Sequence, residues 1–215
     1  EDHGVSFSSK TALRHMFEWM GAEVTFINRT SLNSGVLNTT DLLVMPGGCW
    51  CNVHCSIQGD ERYIVRQYVL DGGAYFGIDG GASYATSYRV GLFNGTLYPD
   101  CLGARDFLTE VNVNRDSQAL DLSGEPESYT LFYESSGYFD ADNMTGIFSI
   151  CTYKDLNQSC MIAFECGEGR VFLSSPHPEY EEGNLNDGTD YYDTLNDPES
   201  EWTLMFKICQ WLLRM

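Results

Sequence analysis

The sequence predicts a single α/β domain with a mostly parallel central sheet. Short apolar runs that end in glycine-rich turns alternate with helical stripes in the N-terminal half of the chain. Continuous apolar runs are typical of strands in parallel sheets, which are covered on both faces. The chain has 215 residues, of which 43% are apolar, enough for one substantial core. Because no linker, repeat or low-complexity segment divides it, we expect residues 1–215 to form one domain.

Apolar residues at helical spacing predict three helices. The predicted helices cover residues 8–20, Asp60–Leu70 and the stretch that follows Asp197. We expect Ser8 or Ser9 to cap the first helix, and Asp197 with Pro198 to begin the last one.

Apolar or β-branched runs predict the strands. Two of them, Asp41–Met45 and Ala74–Ile78, are apolar and end in turns with paired glycines. The other predicted strands are Glu23–Ile27, Val111–Val113, Tyr129–Tyr133, Gly146–Tyr153, Cys160–Phe164 and Arg170–Leu173.

The charge balance excludes two classes of partner. Asp and Glu number 31 against 12 Lys and Arg, so the formal net charge at pH 7 is −19. Negative charge repels nucleic-acid phosphates and anionic lipid head groups. No apolar run approaches the roughly 20 residues of a membrane-spanning helix. We therefore expect no nucleic acid and no membrane contact. As separate expectations, the substrate is a small molecule and no cofactor is needed.

Eight cysteines indicate either an oxidising compartment or a metal site. The even total and the absence of a C-x-x-C pair favour four disulfides. The cluster Cys49–Cys55, which contains His54, keeps metal binding open as the alternative. The remaining cysteines are Cys101, Cys151, Cys160, Cys166 and Cys209.

Glycosylation motifs agree with an oxidising compartment. Five N-x-[ST] sequons occur where the composition predicts about two by chance. The predicted glycan sites are Asn28, Asn38, Asn94, Asn143 and Asn157. The chain begins at Glu1 without an apolar leader, as expected after removal of a signal peptide. We expect a secreted or lumenal glycoprotein; a salt-adapted acidic protein is the alternative that explains the charge alone.

Two groups of reactive residues follow predicted strands. Asp79 lies in Gly77-Ile-Asp-Gly-Gly81, a strand–turn–helix pattern that exposes a side chain at a strained turn, and His177-Pro-Glu179 follows the last strand. Because parallel strands end at one edge of a sheet, we expect Asp79, His177 and Glu179 to form a catalytic site. Glu179 would orient the imidazole. Backbone N–H groups of Gly47, Gly48 and Gly80 would bind an oxyanion.

These motifs resemble class I glutamine amidotransferase domains. The resemblance rests on Pro46-Gly-Gly48 after an apolar strand, on the glycine elbow at position 79 and on His177-Pro-Glu179. The stretch Ile64–Tyr88 is most similar to the N-terminal domain of eukaryotic biotin–protein ligases, which also occurs as stand-alone proteins. The resemblance implies a flavodoxin-like three-layer α/β sandwich and a Cys-His-Glu triad that acts on an amide by acyl transfer.

The sequence departs from the family at the nucleophile, because Asp79 stands at the cysteine position. A carboxylate is a weaker nucleophile, and its acyl product would be a labile anhydride, although aspartate can serve as a general base. We expect a hydrolase-like enzyme acting on a small amide or related carbonyl compound; the alternative is an inactive pseudoenzyme that binds a partner. A third reading places a divalent cation on Asp79, His177 and Glu179. The sequence leaves open whether Asp79 is natural or an engineered replacement.

Two expectations concern the ends of the chain. The family's first strand precedes a Gly-Val-Ser stretch, which stands at Gly4-Val-Ser6 here, so a missing strand would leave an open slot in the sheet. Residues 179–201 carry nine carboxylates and no Lys or Arg. They fit no calcium-loop pattern, and we expect a solvated loop that borders the site.

Overall fold

The computed structural model describes residues 4–48, 57, 59–141, 144–197 and 199–215. Its helices are α1 (Phe7–Trp19), α2 (Arg29–Asn33), α3 (Asp60–Leu70), α4 (Gly80–Tyr84) and α5 (Trp202–Leu212). Its strands are β1 (Leu42–Met45), β2 (Ala74–Ile78), β3 (Thr96–Tyr98), β4 (Asp106–Val113), β5 (Ser128–Glu134), β6 (Tyr138–Asp140), β7 (Ile147–Tyr153), β8 (Ser159–Cys166) and β9 (Gly169–Ser174).

The strands form one mixed sheet in the order β1-β2-β9-β8-β7-β4-β5, with β6 attached to β8 and β3 to β6. Parallel pairing joins β1 to β2 and β2 to β9, whereas the other pairs are antiparallel. The prediction of a mostly parallel sheet therefore holds only for β1, β2 and β9, the first three strands in this order. Short turns join β7 to β8 and β8 to β9, and a short turn can connect only antiparallel neighbours.

Helices cover both faces of the parallel part of the sheet. On one face, α1 and α5 bury residues such as Met16 and Met205 against Phe76 of β2. On the other face, α3 buries Val65 and Val69 beside Tyr75, the next residue of the same strand. Burial on both faces explains why β2 reads as a continuous apolar run.

The parallel strands end together and so position the loops that follow them. Met45 of β1 lies beside Gly77 of β2, which lies beside Leu173 of β9. The glycine turn after β1, the elbow after β2 and the segment before His177 therefore meet at one edge, where open α/β sheets bind their ligands.

Three local predictions need correction. Glu23–Ile27 forms no strand. Ser6, not Ser8 or Ser9, caps α1, because its hydroxyl accepts the Ser9 N–H. Helix α5 begins at Trp202 after Glu201, and Asp197 accepts the Glu199 N–H in a preceding turn; Pro198 lies outside the described residues. An aspartate bonded to a backbone N–H two residues later favours a turn as readily as a helix cap.

A cavity of about 670 Å³ lies along the edge of β1 that faces away from β2. Leu42–Met45, Val24–Ile27, Leu13 and Phe17 are among the residues that line it. Residues 23–27 line this cavity, and among the described residues no strand ladder joins them to β1.

The described cysteines are free thiols, so the prediction of four disulfides is wrong for them. Cys151, Cys160 and Cys209 are buried in the core, where cysteine packs as a small apolar side chain. Cys101 and Cys166 are half-buried. The cluster Cys49–Cys55, with His54, lies outside the described residues.

Of the segments predicted to lie at the surface, the described sequons are exposed, whereas much of the acidic stretch is buried. Asn28, Asn38, Asn94 and Asn157 are exposed, whereas Asn143 is not among the described residues. None of the helices described is long and apolar enough to cross a bilayer. The expectation of a solvated loop at 179–201 is wrong for much of that stretch. Its buried carboxylates are Glu179, Glu181, Glu182, Asp187, Asp197 and Glu201.

Candidate active site

Asp79 occupies a strained elbow between β2 and α4. Its φ is +46°, a region that non-glycine residues rarely adopt and that is over-represented at functional sites. Its side chain does not cap α4 but accepts the Gly48 N–H at Oδ2, at 2.9 Å. Burial raises the pKa of the Asp79 carboxyl, while the His177 charge and the Gly48 and Gly80 N–H groups oppose the rise. The elbow thus holds a carboxylate against a would-be oxyanion donor.

The glycines around Asp79 are required by close approach. A Cβ on Gly47 would lie 2.9 Å from His177 Cε1 and 3.4 Å from Asp79 Oδ2. A Cβ on Gly80 would collide with the Gly48 carbonyl oxygen. The side chains of Asp79 and His177 therefore both approach the face of Gly47 on which a Cβ would stand. The described hydrogen bonds do not join them directly, and they are close enough for a bridging water or ligand atom.

His177 and Glu179 form a buried pair. Imidazole Nδ1 lies 2.9 Å from Glu179 Oε1, with 1% and 0% of the two side chains exposed. The His177 backbone N–H donates to the Phe132 carbonyl at 3.0 Å, which fixes the turn. Burial alone would lower the pKa of His177, but the charges of Glu179, Asp79 and Glu134 raise it to about 9. These charges therefore favour the imidazolium form of the ring at neutral pH.

Ser9 is a site residue that the sequence did not identify. Its hydroxyl donates to Glu179 Oε1 at 2.6 Å and accepts the Gly47 N–H at 2.9 Å. One serine in the first turns of α1 thus links the glycine turn after β1 to the carboxylate that orients the imidazole. Its separation of 170 residues from Glu179 leaves no local pattern that could reveal it.

Glu134 is the second residue that the sequence missed. Its Oε2 lies 3.7 Å from His177 Nε2, and its Oε1 accepts the Tyr191 hydroxyl at 2.9 Å. Burial raises the pKa of Glu134, and the His177 charge opposes the rise. The signal that could have found it is an acidic residue directly after the predicted strand Tyr129–Tyr133.

The predicted oxyanion donors are already engaged. Gly48 donates to Asp79, Gly47 donates to Ser9, and the Gly80 N–H also interacts with the Asp79 carboxyl. The hypothesis of a divalent cation on Asp79, His177 and Glu179 also finds little support. Glu179 contacts Nδ1 of the His177 ring, whereas the other ring nitrogen, Nε2, points towards Glu134. Within the described ranges, no group of three or more His, Cys, Asp and Glu side chains is arranged as a metal site.

A family model matches most of the chain. The model described as the N-terminal region of biotin-protein ligase matches residues 3–107 and 87–205. The chain belongs to the biotin-protein ligase N-terminal family. This agrees with the resemblance carried by the elbow and by His177-Pro-Glu179.

Family relatives differ in length and description. An uncharacterised protein of Chlamydia muridarum is 28% identical over 196 residues, which cover 78% of this chain and 75% of that protein. A biotin–protein ligase of Schizosaccharomyces pombe is 24% identical over 164 residues, which cover 66% of this chain. The match spans 26% of the ligase.

The fold is similar to that of a known glutamine amidotransferase. A glutamine amidotransferase of Thermotoga maritima superposes with a TM-score of 0.53 at 16% identity, covering 90% of this chain and 81% of that chain. At that identity the similarity concerns the fold. It makes the mixed α/β sheet compatible with the flavodoxin-like architecture of class I glutamine amidotransferases.

Proposed function

We propose that this amidotransferase-like protein binds a small ligand at the elbow without forming a covalent acyl intermediate. The observation that carries the proposal is the 2.9 Å hydrogen bond from Gly48 N–H to Asp79 Oδ2. In acyl-transfer sites, such backbone donors bind the oxyanion of the transition state. A carboxylate that occupies the donor competes with that oxyanion.

The state of the imidazole argues in the same direction. With a pKa raised to about 9 by Glu179, Asp79 and Glu134 against the lowering effect of burial, His177 is protonated at neutral pH. A protonated imidazole cannot accept a proton from a nucleophile or water. Covalent acyl transfer begins with a nucleophile and a base that activates it. Position 79 carries no thiol and His177 is not a free base, so this chain lacks both.

Hydrolysis of a small amide or related carbonyl compound is the second candidate, favoured by the strained elbow. A φ of +46° at Asp79 is costly and is common where a side chain must face a substrate. In this reading Asp79 acts as general base or nucleophile, His177 moves a proton, and Glu179 holds the ring. Asp79 as a residue is of intermediate exposure although its carboxyl is largely desolvated, so a substrate has limited access to it.

The two candidates are separated by measuring turnover of an amide and ester panel by the parent, Asp79→Asn and His177→Ala proteins. The binding proposal predicts no hydrolysis above the buffer rate in any of the three. Hydrolysis by the parent that disappears in both variants would overturn it and establish the enzyme.

A thiol introduced at the elbow tests the site itself. We expect the new thiol of Asp79→Cys to react with iodoacetamide more than tenfold faster than Cys166, because the adjacent imidazolium lowers a thiol pKa. A new thiol no more reactive than the half-buried Cys166 would contradict the placement of His177 at the elbow.

We also propose a secreted or lumenal location with N-linked glycans. The support is that Asn28, Asn38, Asn94 and Asn157 are exposed and within sequons; the free thiols of the described core do not add to it. Protein secreted from a eukaryotic host should lose mass on treatment with a peptide:N-glycanase. An unchanged mass would contradict the proposal.

A further inference from the structure

Two carboxylates face each other beside the candidate active site. Asp106 of β4 and Glu134 of β5 are direct cross-strand partners in the antiparallel ladder. Like charges placed directly opposite each other destabilise a sheet. Glu134 also faces His177 Nε2, a nitrogen that is buried and has no hydrogen-bond partner.

Tyrosine hydroxyls hold both carboxylates without neutralising them. Tyr191 donates to Glu134 Oε1 at 2.9 Å, and Tyr192 donates to Asp106 Oδ2 at 2.6 Å. Among the residues that the structure describes, no Lys or Arg forms an ion pair with either carboxylate. A phenol fixes the direction of a carboxylate but supplies no positive charge. We call Asp106, Glu134, Tyr191 and Tyr192 the tyrosine–carboxylate mouth.

The charges of the mouth and of the elbow are unbalanced. The elbow adds the acidic side chains of Asp79 and Glu179, and His177 is the one basic side chain that the contacts described here bring to them. A site with more carboxylates than cations gains electrostatic energy when a positively charged group enters.

The two tyrosine rings of the mouth pack against Phe132, which is fully buried. The Phe132 ring centroid lies 4.7 Å from that of Tyr192 and 6.0 Å from that of Tyr191. The two tyrosine rings are perpendicular, with centroids 4.8 Å apart. Ring faces attract cations, most strongly where water is excluded. Carboxylates and aromatic rings together form the environment that an ammonium group prefers.

The backbone supports the mouth at two unusual positions. Ser135, directly after Glu134, has a φ of +47°, and Tyr192 has a φ of +58°. Such conformations cost free energy in non-glycine residues and cluster where a side chain has to be presented. Three features that cost free energy thus occur at one location: the facing pair Asp106 and Glu134, and the backbone conformations of Ser135 and Tyr192.

From this juxtaposition we propose that the tyrosine–carboxylate mouth binds the ammonium group of an alkylamine, so that the ligand of the site is a small cationic amine. The inference rests on the proposed ligand-binding function and specifies its ligand class. The ammonium group donates to Asp106 and Glu134, and its alkyl chain lies against the tyrosine rings. A compact ammonium suits two carboxylates on adjacent strands, because its three donors can bridge them.

The test is an NMR titration of the full chain with n-butylamine, n-butanol and butyrate at pH 7 and constant ionic strength. We expect n-butylamine to shift the amide signals of Glu134, Ser135, Tyr191 and Tyr192, with an affinity at least tenfold higher than for n-butanol or butyrate. Equal binding of the amine and the alcohol would overturn the proposal.

Variants separate a specific site from general attraction to an acidic protein. Glu134→Gln and Asp106→Asn should each weaken n-butylamine binding at least fivefold. Glu110→Gln is the matched control, because Glu110 lies on β4 but is paired with Lys154, and its substitution should leave binding unchanged. If all three variants bind as the parent does, or weaken equally, the mouth is not the binding site.

The outcomes also separate this inference from the function on which it rests. Hydrolysis of amides by the parent would overturn non-covalent binding as the function, yet the amine titration could still succeed. Failure of the titration in a parent without turnover would overturn the amine class alone.

Discussion

The elbow and a second buried acidic cluster treat their carboxylates in opposite ways. At the elbow, one Glu179 oxygen contacts the His177 ring and a serine hydroxyl, and only its other oxygen lacks a hydrogen-bond partner. In the second cluster, formed by Glu182, Asp197 and Glu201, both Glu182 oxygens and one oxygen each of the other two have no hydrogen-bond partner. A carboxylate buried near this site is therefore accommodated in one of two ways: it pairs with an opposite charge, or it keeps its proton.

The pKa values express the difference. Burial raises the pKa of Glu182 to about 8 and that of Glu201 well above the usual range, and the neighbouring carboxylates reinforce both shifts. At the elbow, burial disfavours the imidazolium, yet Glu179, Asp79 and Glu134 raise the pKa of His177 to about 9. The second cluster therefore favours protonated carboxyls, while the elbow favours a protonated ring.

The largest effect is expected for Glu179→Gln. Removing one partner of a buried ion pair leaves the other charge uncompensated, which costs about 3–5 kcal/mol of unfolding free energy. Chemical denaturation at pH 7 measures the loss. Glu165→Gln is the control, because its ion pair with Arg170 is 60% exposed on the glutamate side and should contribute less than about 1 kcal/mol. Equal losses in the two variants would contradict the buried pair.

Glu182→Gln should raise the free energy of unfolding at alkaline pH instead of lowering it. A carboxyl whose folded pKa is raised contributes stability that is present below its unfolded pKa of 4.5 and is lost as the pH rises through about 8. The variant should therefore match the parent near pH 4.5 and exceed it by about 2–4 kcal/mol at pH 8.5. Chemical denaturation at both pH values checks this. Destabilisation at both would show that Glu182 is ionised and partnered.

The smallest effect is expected for Ser9→Ala. The change leaves the Gly47 N–H without its acceptor and Glu179 without one donor, which should cost about 1–3 kcal/mol. Thr11→Ala in the same helix is the control, because its hydroxyl bond to the Phe7 carbonyl is exposed. A Ser9→Ala protein as stable as the control would show that the Ser9 hydroxyl does not stabilise the elbow.

The parts predicted from sequence are those with a local signal. Helix α3 and strand β2 have the predicted bounds, Asp60–Leu70 and Ala74–Ile78, because apolar residues and flanking glycines specify them. The association of Asp79 with His177 followed from both standing after strands of the parallel part. These predictions needed only neighbouring residues and the rule that parallel strands end together.

The missed parts depend on contacts between distant segments. Ser9 and Glu134 reach His177 and Glu179 through the folded sheet, and neither stands in a motif. The burial of Glu182 was missed because a run of carboxylates without Lys or Arg is typical of a solvated loop. Free Cys151 was missed because a cysteine count cannot distinguish a core thiol from a disulfide.

The most direct test is an NMR pH titration of the His177 ring, assigned by comparison with a His177→Gln spectrum. The account predicts a pKa of about 9, because Glu179, Asp79 and Glu134 outweigh the effect of burial. The raised value also predicts that stability from this ring is full below about pH 6.5 and is lost as the pH rises through 9. A ring that titrates at or below its ordinary value would contradict a cationic elbow and the binding function built on it.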